Sequence, residues 1–374
     1  MIGKQVLGIA FSNMRDFDLG KMTAHRTIGS VPFGGRYRLV DFALSNMVNA
    51  GISNVGVITQ TNYQSLMDHL SSGREWDLSR KRGGLRILPP YASLSGKGEY
   101  RGTLEALYGA MGFIRHSTAE YVVVTGCDYV LNIDFTDLFE AHEKSGADIT
   151  VVYRNKNIEQ KEEEHGTVFQ FNRDGMVNDV MVGPVLLGNR NLYMSILIMK
   201  KSLLESLVED NVGHDRYSMR RNVLLAKYNQ LKIYGFEYKD YCAHIHNLNS
   251  YYQANMELLI PSVRTVIFRQ DRPIYTKVRD EVPAKYGLSA LVGNSLVADG
   301  SIINGEIENS VIFRGVHIGK GAKVKNCILM QGTIVGENVT LDSVITDKNV
   351  VIREGRTLVG FETYPIYINK NNSI

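Results

Sequence analysis

"SVIFRGVHIGKGAKVKNCILMQGTIVGENVTLDSVITDKNVVI", residues 310–352, decides the fold of the last quarter of this 374-residue chain. Ile318-Gly319 returns seventeen residues later as Val335-Gly336, and Ile352 stands seventeen residues beyond that. Ser310-Val311-Ile312 returns as Cys327-Ile328-Leu329 and then as Ser343-Val344-Ile345. Glycine, asparagine and aspartate fall between the short aliphatic runs, as corner residues do. A period near eighteen is three hexapeptides per turn, the pattern of a left-handed parallel β-helix, and three coils in phase weigh against an ordinary β-meander. The expected extent is residues 290–374.

Upstream the texture is different. VLGIA (6–10), VGVIT (55–59), EYVVVTG (120–126) and DITVVY (148–153) are short, β-branched and apolar, as buried parallel strands are. Between them DFALSNMVNAG (41–51) and GTLEALYGAMGFIRHS (102–117) carry apolar residues at helical spacing, the first ending on Gly51 as a C′ residue. This alternation predicts an α/β, Rossmann-like domain over 1–240 with a mostly parallel sheet. A connecting segment over 241–289 contains the expected helix "YYQANMELL" (251–259). Ligands of such sheets bind beyond the C-terminal strand ends, where the loop after the first strand lies.

Composition narrows the function. The chain is 44% hydrophobic and 22% charged, the balance of a soluble globular protein, and a net charge of +3 gives nucleic-acid binding no support. Cys127, Cys242 and Cys327 show no metal spacing and read as buried thiols of a reducing compartment. No apolar run approaches the ~18 residues of a membrane span, and no signal peptide opens the chain, so a cytoplasmic protein is expected.

Several stretches carry chemistry or plain architecture. In "SVPFGGRYRLVDFALSN" (30–46), Pro32, Gly34 and Gly35 bring backbone close to the strand ends beside Arg36 and Arg38, with Asp41 as the expected helix cap. Alone, the same residues read as a turn with a solvated face. In "TGCDYVLNIDF" (125–135), Asp128 ends a strand, where it can hold Mg²⁺ or simply form a turn. Gly102-Thr103 starts a helix whose amides can meet an anion, or merely cap a surface loop. His317, in the β-helix, is either an acyltransferase base or a solvent-facing side chain.

Together, "VPFGGRYRLVDFALSN", "GVITQTNYQSL", "WDLSRKRGGLRILPPY", "YRGTLEAL", "EYVVVTGCDYVLNIDF" and "SYYQANMELL" resemble the bacterial ADP-glucose pyrophosphorylases (glucose-1-phosphate adenylyltransferases) in order and spacing. The resemblance implies a nucleotidyltransferase domain followed by a β-helix used in assembly and regulation. It also implies a reaction in which glucose 1-phosphate attacks the α-phosphorus of ATP, with Mg²⁺ bridging the phosphates. Such chemistry rests on positioning and cationic stabilisation. Matched positions retained here are Gln60, Tyr100, Gly102, Thr103 and Gly166 on the substrate side, and Asp128 for the metal.

The departures are concentrated. The family's Leu-Ala-Gly-Gly loop becomes Ile9-Ala10-Phe11-Ser12 and runs on through Asn13, Asp16 and Asp18. A Cβ there removes the close backbone approach that phosphates need, and the aspartates repel them. The lysine of Arg-Ala-Lys-Pro falls at Ile28, and that of Glu-Glu-Lys-Pro at Gly183. The serine of Ser-Met-Gly falls at Tyr193, with the glycine at Ser195, and the second metal aspartate at His244. Neighbouring cations, Arg15, His25 or Arg26, are the candidates to replace the lost lysines in a self-sufficient enzyme. Otherwise lysines restored at 28 and 183 would face phosphate on a preformed scaffold. The pattern resembles the GlgD-type regulatory subunits, which implies little catalysis alone, a catalytic ADP-glucose pyrophosphorylase subunit as partner, a sugar-phosphate effector, and self-association through the β-helix.

Overall fold

The computed structural model describes residues 2–12, 19–90, 100–158, 165–184 and 187–374. The nine strands of its large sheet are β1 (Val6–Phe11), β2 (Asn54–Ile58), β3 (Gly84–Leu88), β4 (Tyr121–Gly126), β5 (Ile149–Ile158), β6 (His165–Phe171), β7 (Val177–Pro184), β8 (Gly188–Lys200) and β9 (Ile233–Glu237). Their order is β7-β6-β8-β4-β1-β2-β3, with β5 pairing both β8 and β9. The block β4-β1-β2-β3 is parallel, and β8 runs antiparallel to its neighbours. β1 therefore sits between two parallel partners, and the loop after it emerges at the strand ends, as expected.

Helices cover both faces. α1 (Leu39–Asn49) ends at Ala50, and Gly51 takes φ +83°, the left-handed C′ position read from the sequence. Its start corrects the expectation for Asp41. The cap position is Arg38, and Asp41 is the third helical residue, its carboxylate accepting the Arg38 N–H at 2.9 Å. The other Asp41 oxygen lies 2.5 Å from Nε2 of His69 on α2 (Gln64–Leu70). The single helix expected over 102–117 is two, α3 (Thr103–Gly109) and α4 (Met111–His116), broken at Ala110. Gly109 passes so near Tyr100 that a Cβ there would stand 2.8 Å from its hydroxyl. α5 (Phe135–Ser145) and α6 (Lys201–Gly213) complete the layers. No described helix is long and apolar enough to cross a membrane. All three cysteines are free and buried, which fits their reading as packing residues.

The C-terminal strands stack into three five-stranded parallel sheets, a left-handed β-helix whose first rung is Lys285–Tyr286. Ile318, Val335 and Ile352 stand in register, as the repeat predicts. Val311 pairs with Ile328, but Ile328 pairs with Ile345 and not with Val344. The third coil is thus one residue out from its sequence alignment. The reason is a corner: Asn309, Asn326 and Ser343 take positive φ, so Ser343 corresponds to the asparagines and not to Ser310 and Cys327. His317 is exposed on its strand, the solvent-facing alternative.

A third core joins the two architectures. Ile28, Phe33, Tyr251 and Leu258 from the first part pack with Phe313, Met330 and Ile345 of the β-helix. Helix α7 (Leu248–Glu257), the element read from "YYQANMELL", is the spacer. The Tyr251 hydroxyl donates to the Pro32 carbonyl (2.7 Å), that of Tyr252 to the Asn326 carbonyl (2.8 Å), and Asn255 accepts the Gly34 N–H (2.9 Å). Beside this core Arg26 Nη2 meets both oxygens of Asp347 at 2.7 Å, with side chains 5% and 2% exposed. Removing one partner leaves the other charge buried and alone. Asp347→Ala is therefore expected to cost ~3–5 kcal/mol, and the double change Arg26→Met, Asp347→Leu to recover most of it. Urea denaturation of both variants checks this, an equal loss in the two counting against the pair.

Candidate functional site

The end of β1, from which the next loop departs, is tied down by its own groups. Phe11 is buried with Leu7 and Leu104 on the α3 face of the sheet, and its carbonyl accepts the Cys127 N–H at 3.1 Å. Ser12 is fully buried. Its N–H and hydroxyl both donate to the Ile58 carbonyl (3.0 and 3.1 Å), while its carbonyl accepts the Gly29 N–H at 3.1 Å. The strand end is thereby tied to residues 28–30, and the amide groups that a phosphate would need are already used at Ser12 and Gly29. Asn13, Asp16, Asp18 and Arg15 lie outside the described residues.

Ile28 corrects one expectation. It is 3% exposed, among Leu19, Met22, Val31 and Phe33, so a side chain here points into the core shared with the β-helix and not toward a phosphate. Arg26, a candidate substitute for the lost lysines, is committed to Asp347. Gly183 is different. It pairs across the β7–β6 ladder with Gly166, and a Cβ on it would meet nothing within 4 Å. The two glycines of the sugar side are thus brought together beside open space.

Tyr193 stands in β8, edge-on to Phe169 at 5.7 Å, where the β8–β5 register shifts between Tyr193 and Leu197. Ser195 holds φ +56° in that shift, a backbone state that glycine enters without strain. A serine thus holds a backbone state that favours glycine, at the position where the resemblance places a glycine. Tyr100 is 3% exposed and packs in the core with Leu104 and Leu107. Gln60 lies half-buried just beyond β2.

At the start of α3 the Leu104 amide and the Thr103 hydroxyl are taken up by the Tyr217–Met219 segment. The Leu104 N–H donates to the Tyr217 carbonyl (2.9 Å), and the Thr103 hydroxyl accepts the Met219 N–H (3.1 Å). A Cβ on Gly102 would stand 2.3 Å from that same Tyr217 oxygen, so Gly102 is kept for close packing.

Asp128 lies past the end of β4, 1% exposed. A short ribbon pairs His244 with Tyr129, and the Ile245 N–H donates to the Asp128 carbonyl at 2.7 Å. This places Nε2 of His244 3.2 Å from Asp128 Oδ2. The imidazole stacks flat on Tyr129 (4.4 Å between ring centres, 9° between planes) and tilts against His246 at 5.0 Å. Mg²⁺ is a hard ion held by oxygens and can use a single carboxylate completed by waters and phosphates. Here an imidazole nitrogen stands against that carboxylate where an oxygen ligand would have to stand, and this does not fit the ion. Among the described residues no group of three or more His, Cys, Asp or Glu gathers to hold a metal.

A second site was not legible locally. Between the two architectures a cleft enclosing about 40 Å³ is lined by Arg36, Arg38, Lys277, Arg279, Arg314 and Lys348, with His69 at its wall. One water needs ~10–15 Å³, so there is room for a small anionic group. Burial lowers the Lys348 ammonium to about 7, with Arg38 and Arg26 pushing the same way and Asp347 opposing. Burial likewise lowers Arg38 to about 10. Only Arg36 and Arg38 were conspicuous in the sequence. The other four come from segments far apart in the chain and carry no common motif.

Fold and site define a nucleotidyltransferase-type domain joined to a hexapeptide β-helix. The nucleotidyl transferase family model matches residues 19–259, and the GlmU-like C-terminal hexapeptide model matches 282–364. The chain is 36% identical over 327 residues to the glycogen biosynthesis protein GlgD of Bacillus subtilis, covering 87% of this chain and 84% of that protein. It is 35% identical to the glucose-1-phosphate adenylyltransferase of Thermotoga neapolitana (82% and 73% covered) and 31% identical to that of Clostridium perfringens strain SM101 (87% and 84%). The chain belongs to the family these proteins form, that of GlgD and the glucose-1-phosphate adenylyltransferases.

The two lost lysine positions separate in a stability test. Ile28→Lys buries an unpaired charge and should destabilise by several kcal/mol, on the order of 3–5. Gly183→Lys should change stability by less than ~0.5 kcal/mol, as surface substitutions do. Thermal melts of the two variants decide it, and equal midpoints would contradict the placement of Ile28.

Proposed function

We propose that this chain is a regulatory, weakly or non-catalytic subunit of a glucose-1-phosphate adenylyltransferase acting in glycogen biosynthesis, paired with a catalytic subunit of the same family. The observation that supports this reading most directly is the strand end itself: Phe11 and Ser12 are buried there, Ile28 is core, and backbone donors at Ser12 and Gly29 are spent. The chain keeps the scaffold by which such subunits associate, including exposed Val359, Phe361 and Tyr364 near the end of the β-helix. Loss of a single charge-stabilising donor costs ~10²-fold or more in rate. The purified chain with ATP, glucose 1-phosphate and Mg²⁺ should therefore turn over at least ~10²-fold more slowly than its catalytic paralogue, and should change the paralogue's kinetics when mixed with it. A lone chain within tenfold of the paralogue would instead make it a self-sufficient enzyme.

The regulatory half of the reading places a phosphorylated effector in the basic cleft, where six cations from both architectures converge. An anion favours the charged form of Lys348, whose affinity for a proton is lowered in the free protein to about 7. Binding is then strongest below pH 7 and weakens as pH rises through that value. Calorimetric titration with a sugar bisphosphate between pH 6 and 8.5 should show this fall together with proton uptake. Lys348→Met should bind more weakly and lose most of the pH dependence, and an unchanged profile would remove Lys348 from the site.

A further inference from the structure

We propose that His244 is a built-in occupant of the place beside Asp128, so that this strand end takes no hard divalent cation. The inference concerns this one pair and does not depend on whether the chain regulates a partner.

A carboxylate that is 1% exposed must be satisfied by something, because an unpartnered buried charge is costly. The Asp128 side chain is folded back over the end of β4: a Cβ on Gly126 would stand 1.9 Å from Oδ1, so only glycine allows this pose. Neither carboxylate oxygen makes a hydrogen bond of good geometry among the described residues, and the polar atom that faces the pair is His244 Nε2 at 3.2 Å.

His244 is held there by backbone and by ring. The ribbon pairs it with Tyr129 and brings the Ile245 N–H to the Asp128 carbonyl, and its ring stacks on that of Tyr129 and contacts that of His246. Ring and carboxylate are therefore positioned by the same short ribbon. An imidazole fixed this way stands where a second oxygen ligand would have to stand. It offers nitrogen, which suits borderline transition metals better than Mg²⁺. The ribbon that could present a second carboxylate presents a ring that closes the first.

Manganese, a paramagnetic stand-in for Mg²⁺, provides a readout that needs no catalysis. The full-length chain should leave the electron paramagnetic resonance signal of free Mn²⁺ undiminished at equimolar protein and metal. His244→Asp should remove about one equivalent of that signal and bind at least tenfold more tightly than the parent, and adding Asp128→Asn should abolish the gain. The inference is overturned if the parent itself takes up one equivalent that Asp128→Asn removes. It is equally overturned if a folded His244→Asp chain binds no better than the parent. Should that variant fail to fold, as seen by circular dichroism, comparing the parent with Asp128→Asn still decides the matter. Uptake lost on the change refutes the proposal, and absence of uptake in both supports it.

Discussion

The bidentate contact between Arg26 and Asp347 is the constraint on which the arrangement of the two halves rests. Its members are 321 residues apart and nearly free of solvent. Neither charge is tolerable alone at that depth, so the β-helix and the segment after β1 are obliged to meet in one way. Asp347 is saturated further by the Tyr367 hydroxyl and the Lys348 N–H, each at 2.7 Å. The pair thus joins the two architectures at a buried point where each charge has its partner.

The segment that carries Arg26 also ties down the end of β1. Ile28, two residues from Arg26, is drawn into the joint core, and Gly29 binds back to Ser12. The backbone donors of Ser12 and Gly29 are thereby taken and are not available to a triphosphate. Closure at the other strand end has a different origin, the His244 ring laid over Asp128. The two closures share a logic: each replaces a charged or bare-backbone feature by a side chain that is already satisfied inside the protein. On the sugar side Gly166 and Gly183 pair with each other, and a Cβ on Gly183 would meet nothing within 4 Å.

Much of this was legible in the sequence, and the failures have physical causes. The β-helix was readable because a coil corner imposes a period. The third coil was misaligned by one because Ser343 performs a corner role that asparagine performs twice before it. Asp41 reads as a cap because acidic residues favour helix starts, but the chain enters that helix three residues sooner and uses the carboxylate to hold both a backbone amide and His69. Ile28 was recognised as a replaced lysine, yet a linear alignment says nothing about where the replacement points. Once a lysine is lost, its position is free to turn inward, and a neighbouring core decides whether it does.

The basic cleft was the least legible feature and the one that most closely couples the two halves. Arg36 and Arg38 belong to the short turn between Pro32 and α1, while Arg314 and Lys348 project from β-helix coils, and Lys277 and Arg279 from the chain joining them. Like charges crowd there beside the Arg26–Asp347 contact, and the proton affinity of Lys348 is lowered first by burial and only then by Arg38 and Arg26. An anion in the cleft would relieve that crowding. Pro32 lines this cleft and also accepts the Tyr251 hydroxyl, so the turn is bonded to α7, which is bonded in turn through Tyr252 to the β-helix corner at Asn326. Like charges gathered beside one buried ion pair thus give the domain joint a reason to respond to charge, at a distance from a strand end whose donors are already spent.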